Sequence, residues 1–133
     1  VAVQEATTNV HRKIHNQLTN TLLETVRQRL LLEGVNDVRF DALVKNYNGS
    51  DDLLIEVKSS IELPHLRMAI GQLLHYWFQL HPDKEQHLAI LVPQQPSTSA
   101  IQFLDWMKIG VLWFEGNKLK TCTSWLDCIA EMG

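Results

Sequence analysis

The sequence predicts an α/β fold, in which helices cover a mixed central sheet and the elements follow the order αββαβαββ. Three observations predict it. Residues 7–33 carry apolar side chains at helical spacing, and two short strand-like segments flank Asn48-Gly49. Further along the chain, the apolar segment 87–93 (HLAILVP) lies between two more segments of helical pattern.

The first predicted helix spans residues 7–33. Thr and Asn residues at positions 7–9 are suitable N-terminal caps, and Gly34 stands where a helix would stop. The apolar positions of this segment are Ile14, Leu18, Leu22, Val26 and Leu30.

The next two elements form a predicted hairpin. Residues 38–45 (VRFDALVK) alternate between apolar and polar side chains, and residues 52–59 (DLLIEVKS) predict a second strand. Between them, Asn48-Gly49 is a strong signal for a two-residue type I′ loop.

The second half of the chain supplies the remaining elements. Pro64 opens a predicted helix over residues 63–82, which Pro82 closes, and residues 87–93 predict a buried strand. Residues 96–110 begin with small polar side chains and continue as a helix. Residues 111–122 predict a hairpin around Gly116-Asn117, followed by a short helical tail after Ser124.

Length and composition predict one domain over residues 1–133. The chain is 45% hydrophobic and 20% charged, which is ordinary globular composition. No apolar run reaches the roughly 18 residues of a membrane span. Because residue 1 is Val rather than Met, we expect a processed chain or part of a longer one. Two cysteines without a CxxC pair favour a reduced, cytoplasmic setting. A net charge of −3 excludes binding of nucleic acid by bulk charge alone.

A loop at residues 48–49 determines which side chains face each other in the hairpin. Lys45 then faces Asp52, a favourable cross-strand ion pair that supports this register. One face is wholly apolar and pairs Val44 with Leu53, Ala42 with Ile55, and Phe40 with Val57. The other face pairs Lys45 with Asp52, Leu43 with Leu54, Asp41 with Glu56, and Arg39 with Lys58.

Asp41 opposite Glu56 requires an explanation. Directly opposed side chains lie roughly 4.5–5.5 Å apart at Cβ, where like charges destabilise a sheet, and burial increases the repulsion. A divalent cation held between the two carboxylates would compensate. Lys58, roughly 6.5–7 Å from Glu56 at Cα on the same face, is placed to reach a metal-bound water or a phosphate. The alternative is that this face is solvated, although Leu43 and Leu54 argue against full exposure.

These residues resemble the motif of the PD-(D/E)XK nuclease superfamily, which has the restriction-endonuclease-like fold. The motif is an Asp on one strand followed by Glu-x-Lys on the next, here Phe40-Asp41 and then Glu56-Val57-Lys58. Phe40 replaces the usual Pro, a residue that carries no chemistry. Gln72 and Tyr76 resemble the Q-x3-Y motif of the RecB-like branch, and they lie on one face of their helix. The resemblance covers roughly residues 9–115, including the order of the elements.

The resemblance implies hydrolysis of DNA phosphodiester bonds with Mg²⁺ or Mn²⁺. Asp41, Glu56 and the main-chain carbonyl of Val57 would be the metal ligands, a set of oxygen atoms that suits Mg²⁺. Lys58 would hold or help to deprotonate the attacking water, or stabilise the transition state. Gln72 would orient water or substrate, and Tyr76 would support it by a hydrogen bond or line the groove.

The same resemblance implies a further site residue on the first helix. Glu24 is the candidate by position, and an ordinary solvated side chain is its alternative. His15 is a second candidate, because a His serves in the RecB-like branch, and a core histidine is its alternative.

The expected partner is DNA, with RNA as a second substrate that the residues do not distinguish. Arg12 and Lys13 belong to the densest basic region and are candidate phosphate contacts, against the usual solvated helix face. Since 133 residues leave no room for a recognition domain, specificity would come from a homodimer, a fused domain or a partner subunit. Trp106, Trp113 and Trp125 are candidates for a partner surface, with core packing as the alternative.

The competing function is a catalytically inactive nuclease-like fold that binds nucleic acid or protein. Degenerate members of the superfamily usually lose the Asp, the Glu or the Lys. This sequence keeps Asp41, Glu56 and Lys58 together with Gln72, which favours the enzyme.

Overall fold

The computed structural model describes residues 2–26, 31–32 and 40–131, and these residues have an α/β architecture with a mixed sheet flanked by helices. In the described residues the sheet has six strands, and their order in the sheet follows the chain from β1 to β6. The β3–β4 and β4–β5 pairs are parallel, and the other neighbours are antiparallel. The predicted α/β class, with a mixed sheet flanked by helices, is therefore confirmed, whereas the predicted order αββαβαββ lacks the first strand. The elements are α1 (Ala2–Thr25), β1 (Leu31–Leu32), β2 (Ala42–Val44), β3 (Leu53–Val57), α2 (Leu63–Leu80), β4 (Leu88–Val92), α3 (Thr98–Trp106), β5 (Ile109–Glu115), β6 (Lys118–Thr121), a 3-10 turn (Ser124–Leu126) and α4 (Asp127–Ala130).

The two faces of the sheet carry two separate apolar clusters. Helices α2 and α3 cover one face, where Leu66 and Leu73 pack against Leu54 and Ile90. Helix α1 and the C-terminal segment cover the other, where Leu18 and Leu22 lie with Leu126. Because both faces are covered, all five residues of β3 are buried.

Helix α1 differs from its prediction at both ends. It begins at Ala2, so residues 7–9 lie inside the helix and do not cap it, and it ends at Thr25. Leu31 and Leu32 form a strand that pairs with β2, in a stretch that we predicted as helix. A short run of leucines fits a helix or a strand equally well, and pairing with β2 decides between them. The predicted stop at Gly34 lies outside the described residues.

The hairpin register is confirmed, but its loop is not a two-residue turn. Ala42 pairs with Ile55, Leu43 with Leu54 and Val44 with Leu53, as predicted. The positive φ angles fall at Asn46 (51°) and Gly49 (97°), whereas a type I′ loop needs them at positions 48 and 49. The Asn48 side chain instead accepts hydrogen bonds from the backbone N–H groups of Ser50 and Asp51. Such a side-chain turn competes with the tighter loop and explains the difference.

The strand alternation breaks just before Ala42. We predicted that Phe40 lies on the same face as Ala42 and Val44, but it packs with Leu43 and Leu54 on the α2 side. The reason is that β2 starts only at Ala42 and Asp41 lies in a bend, so the period of two does not extend to these residues.

The second half of the chain follows the prediction closely. Ser97 caps α3, its side chain accepting from the backbone N–H of Ala100, and Glu115 pairs with Lys118 across a tight turn in which Gly116 has a φ of 62°. Trp113 is buried in the core, while Trp106 is 76% exposed. Both cysteines are free. None of the helices in the described residues has the length and apolar character that a membrane crossing requires.

Candidate functional site

A polar cavity of about 440 Å³ lies where β3 ends, between α1 and α2. Its position follows from the topology, because the chain leaves β3 at Val57 and returns along α2 from Leu63. Five predicted site residues line it, together with Val57 and His15. Those five are Asp41, Glu56, Lys58, Gln72 and Tyr76.

Glu56 is the buried acid of the site. It is the fourth residue of β3 and only 5% exposed, beside Leu54, which is fully buried on the same face of the strand. Burial raises the pKa of Glu56 to about 8, and the negative charge of Asp41 contributes to the rise. The solvated-face alternative is therefore wrong, since Leu43, Leu54 and Glu56 are all buried.

Asp41 lies near Glu56, but it is not paired with Glu56 across two strands as we predicted. Its Oδ2 accepts a 2.8 Å hydrogen bond from the backbone N–H of Val57, which anchors the bend at residue 41 to the end of β3. Burial alone would raise the pKa of Asp41, but hydrogen bonds from His15 and from the Val57 N–H outweigh it and lower that pKa. The two carboxyl groups are close enough for the negative charge of Asp41 to raise the pKa of Glu56.

His15 supplies the positive partner of Asp41. It lies on α1, and its Nε2 is 3.2 Å from Asp41 Oδ1. That hydrogen bond raises the pKa of His15, and the partial burial of the ring opposes the rise. The His15 ring is thus part of the site, and it is not a core histidine.

Lys58 is the ammonium of the site. Its backbone N–H donates to the Leu91 carbonyl of β4 over 2.9 Å, which holds residue 58 against the sheet. Its Nζ lies 3.4 Å from Glu56 Oε2, and the side chain is 13% exposed. The cavity therefore presents a carboxylate pair to a single lysine ammonium that is largely shielded from water.

Gln72 and Tyr76 face the cavity from α2. In the described residues, Gln72 Oε1 is buried and has no hydrogen-bond partner. A buried acceptor without a partner is costly, so this oxygen is suited to accept from a water or a ligand in the cavity. Burial, and then the charge of Glu56, raise the pKa of Tyr76, which keeps its hydroxyl protonated as a donor.

The structure does not bring Glu24 to this cavity. Glu24 is exposed on α1, nine residues after His15, which corresponds to roughly 13 Å along a helix. Of the two candidates on the first helix, the structure thus favours His15. Arg12 lines the cavity, whereas Lys13 is exposed and is not among the lining residues. The predicted Arg39–Lys58 pair includes a residue outside those described.

Four lining residues were not predicted from the sequence: Thr8, His11, Ser59 and His65. From the sequence we assigned no role to His11 or His65. The signal that could have found His11 is its spacing of four from His15, which places both rings on one face of α1.

Within the part of the chain that the structure describes, no group of three or more His, Cys, Asp and Glu side chains has the geometry of a metal site. The predicted ligand set contains only two carboxylates and a main-chain oxygen, so it does not depend on such a group. Comparisons with protein-family models, curated proteins and solved structures found no match to this chain.

Proposed function

We propose that this chain is a metal-dependent nuclease of the PD-(D/E)XK type, with a restriction-endonuclease-like core, and that it hydrolyses phosphodiester bonds of DNA. One observation carries the proposal. Two interacting carboxyl groups, Asp41 and Glu56, are held at the end of β3 in an open cavity with the Lys58 ammonium beside them. A fold gains no stability from burying two acids together, which favours a chemical role for them.

The residues present fit a hard divalent cation. Asp41, Glu56 and the Val57 carbonyl would hold Mg²⁺ or Mn²⁺, ions that prefer oxygen ligands. Burial, and then the charge of Asp41, raise the pKa of Glu56, and a cation bound between the two carboxyl groups would favour the ionised form of both. A bound ion would polarise a phosphoryl oxygen and lower the pKa of a water molecule.

Lys58 and His15 have separate roles in this proposal. The Lys58 ammonium, 3.4 Å from Glu56, holds the attacking water or offsets charge on the phosphoryl oxygens as the bond breaks. His15 donates to Asp41 and fixes the orientation of that carboxylate.

Gln72 and Tyr76 orient the reactants from the opposite wall. The unpartnered Gln72 Oε1 accepts a hydrogen bond from the attacking water or from the substrate. The protonated Tyr76 hydroxyl is a donor at neutral pH. Both contacts hold the reacting groups in line, an effect of proximity and orientation.

The test is incubation with plasmid and single-stranded DNA in Mg²⁺, Mn²⁺ or EDTA. We expect cleavage with metal and none in EDTA, and we expect Asp41→Ala and Lys58→Ala to reduce it by about 10²-fold or more. Lys45→Ala is the matched control, because it removes a lysine that pairs with an acid on the same hairpin but outside the cavity. An RNA of the same sequence tests the second substrate. Equal cleavage by all three variants would rule out these roles.

A binding module without catalysis is the second candidate, and a specific observation favours it. His15 lies 3.2 Å from Asp41 and Lys58 lies 3.4 Å from Glu56, so each acid already has a basic partner in the protein. This candidate predicts DNA binding that EDTA does not change and no strand cleavage with either metal. Homodimer formation, which would place two sites on a duplex, is tested by sedimentation in the same buffers.

A further inference from the structure

A second polar cluster lines the cavity beside the carboxylates. His11 Nδ1 lies 2.7 Å from Ser59 Oγ, and the His11 ring stacks on the His65 ring at 5.6 Å between centroids, with 28° between the planes. The three side chains come from α1, from the segment after β3 and from the first turn of α2. The fold therefore brings three separate segments together at this point.

Core packing does not explain this cluster. All three residues are partly exposed and line the cavity, and neither apolar cluster includes them. Nδ1 of His11 is engaged by Ser59, which leaves Nε2 as the other polar atom of that ring. The two stacked imidazoles and the Arg12 side chain all line the same cavity. These groups suit an anion with several acceptor oxygens, as a phosphate has.

The spacing along α1 relates this cluster to the carboxylate pair. His15 contacts Asp41, while His11, four residues earlier, contacts Ser59. Residues four apart on a helix have Cβ atoms roughly 5–6 Å apart. That separation is of the same order as the distance between neighbouring phosphates on one nucleic-acid strand. The cluster around His11 thus lies about one phosphate spacing along α1 from His15, which contacts the carboxylate pair through Asp41.

We propose that His11, Ser59 and His65, with Arg12, form a binding site for the phosphate next to the one that is cleaved. The inference rests on the proposed nuclease function and deepens it, because it makes the substrate a strand with at least two phosphates in the cavity. The second phosphate is either an internal phosphodiester or a terminal phosphomonoester. The two sources correspond to cleavage within a strand and cleavage from an end.

The test measures binding in EDTA, where no strand is cut. Fluorescence anisotropy of a single-stranded oligonucleotide gives the dissociation constant for wild type, His11→Ala/His65→Ala and Arg12→Ala. We expect the double variant to bind about 10-fold more weakly, and we expect Arg12→Ala to lower the salt dependence by about 0.7 in log–log slope, the loss of one cationic phosphate contact. Arg67→Ala is the matched control, since Arg67 is exposed on α2 outside the cavity; we expect it to bind like wild type.

Single-atom variants sharpen the assignment. His11→Gln keeps a donor near the position of Nε2, whereas His11→Asn keeps one near Nδ1. If Nε2 contacts the phosphate, Gln restores binding and Asn does not. Should the double variant fail to fold, histidine ring signals of the wild-type protein, followed by NMR during oligonucleotide addition, replace it, and we expect those of His11 and His65 to shift.

Two substrate arms distinguish the sources of the phosphate. One compares 5′-phosphorylated with 5′-hydroxyl oligonucleotides, and the other replaces one internal linkage with an uncharged methylphosphonate. If one of these changes in the oligonucleotide weakens binding to the wild type but not to the double variant, the result supports the site and shows which kind of phosphate it binds. If neither change nor either alanine variant alters binding, the inference is overturned, as it is if the wild type binds no oligonucleotide. Cleavage of DNA by the same preparations with Mn²⁺ distinguishes the two proposals. If the variants cleave DNA and bind the oligonucleotide like wild type, the phosphate site is overturned and the nuclease function is not. If the wild type binds the oligonucleotide but does not cleave DNA, the nuclease function is overturned and the phosphate site is not.

Discussion

The two ends of the β2–β3 hairpin use acidic residues in opposite ways. Near the loop, Asp52 lies 2.8 Å from the Lys45 ammonium and also accepts from the Asn46 N–H. At the other end, Glu56 meets a second acid, Asp41, and is nearly fully buried. The same pair of strands thus has an attractive pair at one end and a repulsive pair at the other.

The two ends differ in whether the ionised acid stabilises or destabilises the folded state. Burial alone would raise the pKa of Asp52, but the hydrogen bonds from Lys45 and the Asn46 N–H, together with the charge of Lys45, outweigh burial and lower that pKa. The pKa of Glu56 is raised to about 8, because burial and Asp41 outweigh Lys58. Ionised Asp52 is therefore favoured by folding, and ionised Glu56 is disfavoured. Residues of the second kind cluster at functional sites.

After the loss expected for Asp41→Ala and Lys58→Ala, the largest effect is expected at the partner that orients Asp41. His15→Ala removes the contact at Asp41 Oδ1, and we expect metal-dependent cleavage to fall by about 10- to 100-fold, as for other groups that hold a metal ligand in place. Glu24→Ala changes an exposed residue of the same helix outside the cavity, so we expect full activity. Rates of DNA cleavage measured at saturating Mn²⁺ check both, and a larger loss for Glu24→Ala would reverse our choice between them.

An intermediate effect concerns stability at the buried end of the hairpin in metal-free buffer. The pKa of Glu56 rises from 4.5 to about 8 on folding, so between these values the folded state binds a proton that the unfolded state has released. The free energy of unfolding therefore falls as the pH rises through this range. Glu56→Gln stays neutral, and we expect it to be more stable than wild type by about 1–3 kcal/mol at pH 9.

Urea unfolding in EDTA at pH 5 and pH 9 measures this difference. We expect the advantage of Glu56→Gln to be small at pH 5, where wild-type Glu56 is protonated when folded. Adding Mn²⁺ at pH 9 should stabilise the wild type and not the variant, because the ion needs the carboxylate. An advantage of equal size at both pH values would show that its cause is not the charge.

The smallest effect is expected at the loop end. Lys45→Ala and Asp52→Asn break a partly exposed ion pair, and we expect each to lower the free energy of unfolding by about 0.2–1 kcal/mol. The lowered pKa of Asp52 adds stability above its ordinary 3.8, and this stability is lost as the pH falls through the folded value. Thermal unfolding between pH 2 and 7 checks the prediction, and Asp52→Asn should lack this part of the acid-induced loss. A loss above 2 kcal/mol would mean that the loop end carries more than an ordinary ion pair.

The elements that the sequence predicted well have local signals. Pro64 and Pro82 bracket α2, Ser97 caps α3, and Gly116 provides the turn between β5 and β6. The register of the β2–β3 hairpin was also predictable, since alternating apolar residues and the Lys45–Asp52 pair both require it. Where the signal was ambiguous, as at Leu31–Leu32, pairing with a distant strand decided the structure.

The candidate site also contains residues that the sequence predicted and residues that it did not. The motif residues Asp41, Glu56, Lys58, Gln72 and Tyr76 were predicted together, and the structure brings them to one cavity. The choice of His15 over Glu24 and the presence of His11 beside Ser59 were not predictable, because both depend on where α1 crosses the end of β3. Two positions of one amphipathic helix look equally suitable until the docking of that helix is known.

By itself, the amino-acid sequence determined the α/β class, the register of the hairpin and the pairing of unlike charges near its loop, because these depend on side chains that are near neighbours along the chain or across one turn. Only the tertiary structure decided that Asp41 bends out of the strand to cap the Val57 N–H, and that residues of α1 complete the cavity. The physical reason is that these contacts join segments separated by 16 to 48 residues, whose approach is set by the packing of helices on both faces of the sheet.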